Sequence, residues 1–182
     1  MHFQHSEEMV IADIPETMET VLTILNNKIK QGITVTTNYA DVPKDYCYPD
    51  ELSQIFTKLI HNSIQAMEEK GELKITVQIS PIPEPGTISS PFPERKEEIK
   101  EFKEKYQYNN FLSISIEDSG SGIPIEIQKK IFEPFFTTKK AGEGSGLSLH
   151  IIQKILDKHN GYLDFYTIPG CTRFTVYIPA RF

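Results

Sequence analysis

At 182 residues and 20.8 kDa the chain suits one domain, or one domain carrying a large insertion. It is 38% hydrophobic and 24% charged, enough apolar material for a core and too much for a disordered chain. A net charge of −6 speaks against a general nucleic-acid binder, and no stretch approaches the ~20 apolar residues of a membrane span. The opening residues lack the apolar run of a signal peptide. Cys47 and Cys171 are far apart and form no CxxC pair, so neither a disulfide framework nor a zinc site is expected, and a reducing, cytoplasmic compartment is the natural setting.

Pro15 suits the first turn of a helix and Gly32 its end, with Met18, Val21, Leu22, Leu25 and Ile29 at helical spacing between them. Residues 33–39 (ITVTTNY) alternate and are β-branched, which predicts a strand. A loop with Pro43 and Pro49 follows, and Asp50 is placed to cap the next helix. Leu52, Ile55, Phe56, Leu59, Ser63, Ala66 and Met67 make one face of that helix, which ends near Gly71. Leu73, Ile75, Val77 and Ile79 alternate as a second strand. From about residue 81 to 110 the composition changes to a proline-rich half and then a charged half, in which Ile99, Phe102 and Tyr106 have the spacing of a short surface helix. This is read as an insertion bridging two strands of one sheet, a tolerated surface loop before it is a partner-docking element.

A strand over 111–117, a glycine turn, a short helix near 124–130 and a helix over 146–158 come next. Strands over 162–168 and 171–178 then close the chain as a hairpin around Pro169-Gly170. Strands and helices interleave without strict βαβ order. The expected architecture is therefore α+β, a two-layer sandwich with a mixed sheet of about five strands covered on one face by about three helices.

Three constellations bear on chemistry. Leu112, Ile114 and Ile116 are the buried parity of their strand, Ser113, Ser115 and Glu117 the exposed parity, and two further residues reach Asp118, which must face the covered side. A carboxylate there requires hydrogen-bond donors. Beside the bare backbone of Gly120 and Gly122 it is suited to reading an exocyclic amine such as that of adenine. The bland alternative is an aspartate bonding its own turn amides. The run Gly142-Glu143-Gly144-Ser145-Gly146-Leu147-Ser148 enters a helix, whose N-terminal N–H groups cradle phosphate, with Lys139 and Lys140 nearby. It is neither a Walker loop nor a dinucleotide fingerprint, and a flexible capped loop explains it as well. Lys58, Asn62 and Gln65 form a polar stripe beside the core of the second long helix, where the Asn62 carboxamide can offer one oxygen to Mg²⁺ or simply meet solvent.

The order of these segments, with 131–139 (IFEPFFTTK) between the last two, closely resembles the catalytic ATP-binding domain of bacterial sensor histidine kinases, within the gyrase, chaperone, histidine-kinase and mismatch-repair ATPase superfamily. Residues 59–67 (LIHNSIQAM) are similar to that family's N box, 117–124 (EDSGSGIP) to its G1 box, 131–139 to its F box and 142–152 (GEGSGLSLHII) to its G2 box. The resemblance spans nearly the whole chain outside the insertion and implies the Bergerat-type sandwich. It also implies that Asn62 ligates Mg²⁺, with Gln65 and Ala66 beside it, and that Asp118 accepts the adenine amine. Gly120, Gly122 and Ile123 would shape the base pocket, and Phe132 and Phe135 would anchor a lid that begins at Thr138 and Lys139. Gly142, Gly144, Ser145, Gly146 and Leu147 would wrap the phosphates, and Lys139 would neutralise charge during transfer.

The chain departs from the family pattern at Lys58, where many members have an Asn, at Gln65, where some have a phosphate-binding Lys, and at Ser148, the usual last glycine of the G2 box. The Glu base of hydrolytic relatives is missing near Lys58, which argues against a water-activating ATPase. None of His2, His5, His61, His150 and His159 has the context of a phospho-acceptor, so the acceptor is expected on a separate histidine-bearing dimerisation domain, with a response regulator downstream. His61 is read as plain surface. The isolated domain is expected to be a monomer with negligible turnover, whether or not its parent is membrane-anchored. Two rivals stand beside this reading: a serine/threonine-directed kinase of the same superfamily, and a nucleotide-free scaffold docking partners through residues 81–109.

Overall fold

The computed structural model describes residues 8–68, 70–81, 97, 100, 101, 104, 110–136 and 148–181. Strand β1 (Val10–Ala12) leads into helix α1 (Ile14–Ile24) through Asp13, whose Oδ1 accepts from the Glu16 amide at 3.0 Å, with Pro15 in the first turn. The expected single helix running to Gly32 is interrupted at Leu25, after which residues Asn26–Ile29 form a short α2. Both pieces keep one buried face, Ile14, Met18, Val21, Leu25 and Ile29. Strand β2 (Ile33–Tyr39) follows.

The proline-bordered loop contains an unforeseen strand, β3 (Asp45–Cys47), which pairs antiparallel with β1. Helix α3 (Pro49–Ala66) starts after Tyr48, not Asp50. Pro49 occupies the first helical position, so Asp50 falls in the first turn with Glu51, where carboxylates complement the helix dipole. Ala66, expected on the apolar face, is exposed, and Ile60 and Ile64 are buried with Leu52, Ile55, Phe56, Leu59 and Ser63. His61, expected at the surface, is half-buried.

Strands β4 (Gly71–Ser80) and β5 (Phe111–Asp118) flank the insertion, of which Glu97, Lys100, Glu101 and Glu104 are helical and exposed. A short α4 (Ile125–Gln128), helix α5 (Ser148–Lys158) and the hairpin β6 (Tyr162–Ile168) and β7 (Cys171–Pro179) complete the chain. Among the described residues, five strands form a mixed sheet in the order β2-β4-β5-β7-β6, parallel between β2 and β4 and antiparallel elsewhere. Helix α3 makes the crossover between the parallel pair and packs on β5, flanked by α1 and α5.

The register aligns the helix-facing side chains in rows. Val77, Ile114, Val176 and Leu163 form one; Ile75, Ile116, Phe174 and Phe165 form the next. All are buried, and with the helices they make the main core. The third row is Leu73, Asp118, Thr172 and Thr167, so the apolar face turns polar at one end of the sheet. On the opposite face Phe111 and Tyr177 are buried together, with Tyr162 packed against them. Ser113, expected to be exposed, sits beside Tyr177 across the β5–β7 pair and is buried. No helix among the described residues is long and apolar enough to cross a membrane.

Candidate functional site

The polar end of the sheet positions the site. Asp118 is 4% exposed. Its Oδ1 accepts the Gly120 amide at 2.9 Å, and the Ser63 hydroxyl of α3 also bonds the carboxylate. The turn-amide alternative is thus realised for one bond, yet a carboxylate accepts about four, so two donors leave acceptor capacity. Burial pushes the Asp118 pKa above the ordinary carboxylate range, the Gly120 and Ser63 bonds oppose that rise, and nearby Glu117 adds to it.

Two glycines hold the turn against its neighbours. A Cβ on Gly120 would lie 2.8 Å from the Ala66 carbonyl oxygen, which places the end of α3 directly beside the turn. Gly122 has φ +85°, and a Cβ there would lie 2.5 Å from the Ile168 carbonyl oxygen, so any side chain would displace backbone. The Ser119 hydroxyl accepts the Glu72 amide at 2.9 Å, tying the turn to β4. Ile123 is held at both backbone polar groups: its amide donates to Thr167 Oγ1 at 2.9 Å, and its carbonyl accepts from Gln128 Nε2 at 2.9 Å. The Thr167 and Thr172 hydroxyls lie 2.8 Å apart.

The structure therefore brings Asp118, Gly120, Gly122, Ile123 and Ala66 together. Asn62 is half-buried one residue before Ser63 on α3, while Gln65 is exposed on the same helix. Phe132 is half-buried against the core, with its ring 5.6 Å from that of Phe165. Phe135 behaves differently: it is 74% exposed, with a left-handed φ of +66°, and does not pack as an anchor. Thr138, Lys139, Gly142, Gly144, Ser145, Gly146 and Leu147 lie outside the described residues.

Ser63, Thr167, Thr172 and Gln128 are participants that the sequence did not single out. Thr172 carries a signal only once the sheet order is known, because it is the β7 register partner of Asp118. The site thus joins a buried acid to two glycines whose Cβ positions are taken up by the backbone of Ala66 and Ile168.

Residues 47–181 match the family described as histidine kinase-, DNA gyrase B-, and HSP90-like ATPases. The chain belongs to that family and is by membership an ATP-binding domain. It is 26% identical over 98% of its length to the sensory histidine kinase/phosphatase NtrB of Klebsiella oxytoca. It is 32% identical over 71% of its length to the signal transduction histidine-protein kinase AtoS of Escherichia coli. The chain spans about half the length of the NtrB relative, 46%, and 17% of AtoS. Among solved structures, the nucleotide-free catalytic domain of the histidine kinase ThkA superposes with a TM-score of 0.71 and 26% identity, covering 96% of this chain and 97% of that one.

Proposed function

We propose that the chain is the catalytic ATP–Mg²⁺-binding domain of a two-component sensor histidine kinase, acting on a histidine carried by a separate dimerisation domain. The observation that carries this reading is the polar row at the end of the sheet, where a buried aspartate faces the layer between sheet and helices beside the Gly120–Gly122 turn. Asp118 would hold the exocyclic amine of the base, and Gly120, Gly122 and Ile123 would define its edge. Asn62 would contribute a neutral oxygen to Mg²⁺, which takes most of its ligands from phosphates and water; among the described residues no three His, Cys, Asp or Glu side chains gather to hold a metal on their own.

When bound, ATP–Mg²⁺ supplies the transferable phosphoryl group. The residues of this chain bind and orient it, and the G2-box residues and Lys139 would neutralise charge around it, so catalysis rests on positioning and electrostatics. The acceptor histidine and any base that assists it belong to the partner domain, and a response regulator would take the phosphoryl group next. A solved complex of ThkA with the response regulator TrrA is among the structures of similar fold, which supports that partnership. A cytoplasmic setting accords with the two unpaired cysteines.

The test is calorimetric titration with a non-hydrolysable ATP analogue and Mg²⁺, followed by phosphotransfer to a histidine-bearing helical hairpin. Binding together with a phosphohistidine product is the expected result. Phosphoserine or phosphothreonine in place of phosphohistidine, or no binding at all, would replace this reading by one of its rivals.

A further inference from the structure

The β6–β7 hairpin reaches the glycine turn through one side chain. Thr167 is the last inward-facing residue of β6 and the fourth member of the row that contains Asp118 and Thr172. Its Oγ1 is the acceptor for the Ile123 amide at 2.9 Å and lies 2.8 Å from Thr172 Oγ1. One residue earlier in the turn, Gly122 is close against Ile168, the residue after Thr167. A single hydroxyl therefore connects the loop that follows Asp118 to β6 and, through Thr172, to β7, the strand that borders Asp118 on that side.

The hydrogen bonds link the turn amide to both threonines. A threonine hydroxyl has one proton and can accept two bonds. Thr167 accepts the Ile123 N–H, and either hydroxyl can be the donor in the Thr167–Thr172 pair. Chained donors of this kind reinforce one another in a low-dielectric setting. Gln128 holds the Ile123 carbonyl from the other side at 2.9 Å, so the Ile123 backbone is clamped between β6 and α4.

We infer that Thr167 is a positioning residue for the nucleotide base: its hydroxyl sets the distance between the Gly120–Ile123 turn and the Asp118 carboxylate. This rests on the nucleotide-site reading of Asp118 and deepens it, since Thr167 acts through the turn. The substitution Thr167→Val keeps shape and β-branching while removing the acceptor for a backbone amide. Thr167→Ser keeps the hydroxyl.

The experiment measures the dissociation constant for a non-hydrolysable ATP analogue with Mg²⁺ in wild type, both variants and Asp118→Asn, at a temperature well below each melting midpoint. Thr167→Val is expected to weaken binding by about tenfold, and Thr167→Ser to stay within about twofold of wild type. A residue that only stabilised the hairpin would lower the melting midpoint and leave the dissociation constant of the folded protein unchanged. Wild-type affinity in Thr167→Val, or an equal loss in Thr167→Ser, overturns the inference. If Thr167→Val does not fold, Thr167→Ala carries the same test. Loss of binding in Asp118→Asn with none in Thr167→Val removes the role of Thr167 alone, whereas undiminished binding in Asp118→Asn removes the nucleotide-site reading itself.

Discussion

Two buried aspartates sit at different places in the fold and do different things. Asp45, 1% exposed in β3, joins the early part of the chain to its end: its Oδ1 accepts the Tyr46 amide at 2.7 Å, and both oxygens accept the Arg181 amide, at 2.8 and 2.9 Å. Around it, the Arg181 guanidinium donates to the His159 carbonyl at 2.7 Å, and the two His159 ring nitrogens meet the Tyr48 amide and the Ile155 carbonyl. Asp118 is bonded through one backbone amide and one hydroxyl, beside glycines that keep side chains away. Burial raises both carboxyl pKa values. The difference lies in how the charge is held: backbone amides engage both Asp45 oxygens, whereas Asp118 is held by one amide at Oδ1 and by the Ser63 hydroxyl, at the polar end of the sheet beside the glycine turn.

Exchanging each carboxylate for its amide breaks this comparison most directly. Asp118→Asn replaces acceptor capacity with an N–H donor, so affinity for an ATP analogue is expected to fall by about 100-fold or more, measured by calorimetry. Because it also relieves the desolvation of a buried charge, its melting midpoint should stay at or above that of wild type, as expected of a site that trades stability for function. Asp45→Asn is the opposite case. Its N–H groups would confront amide donors, at about 2 kcal/mol, which lowers the melting midpoint by roughly 4–8 °C for a chain of this size and leaves nucleotide affinity within about twofold.

The Asp45 neighbourhood also makes stability depend on pH. His159 is fully buried, and burial lowers its pKa below 6.5, with the Ile155 carbonyl and Glu51 opposing that shift and Arg181 and Lys158 adding to it. The unfolded state therefore binds the proton more readily than the folded state. Stability is full above pH 6.5 and declines as pH falls through that value toward the lower folded pKa. Urea midpoints for wild type and His159→Gln between pH 7.5 and 5 should show a steeper fall in the wild type; parallel curves would refute the assignment. The smallest effect belongs to Lys158→Gln, which removes the 2.9 Å contact with Glu51 at the surface and should cost about 0.5 kcal/mol.

The regular elements were legible where periodicity is local. The buried faces of α1 and α3 and the alternation in β4 and β5 depend on neighbours in sequence, and Asp118 followed from the parity of its own strand. What could not be read depends on partners far along the chain. Strands β1 and β3 have three residues each and exist through pairing with one another, and Asp45 gives no local sign of an Arg181 amide that arrives from the far end. The residue type of Asp50 suits a cap, but Pro49 and the extended Tyr48 set the helix start. In the site, Asp118, Gly120 and Gly122 carried motif signals, whereas Thr167, Thr172 and Ser63 join through sheet register and helix packing that no spacing rule encodes.

The role proposed for the Asp118 carboxylate is to accept the six-amino group of a purine. The direct measurement compares the affinity of the wild-type chain for ATP–Mg²⁺ and for the triphosphate of purine riboside, which is the same molecule without that amine. A loss of about tenfold or more for the amine-free nucleotide, shrinking to near equality in Asp118→Asn, is the predicted result. Equal affinities in the wild-type protein would contradict the account.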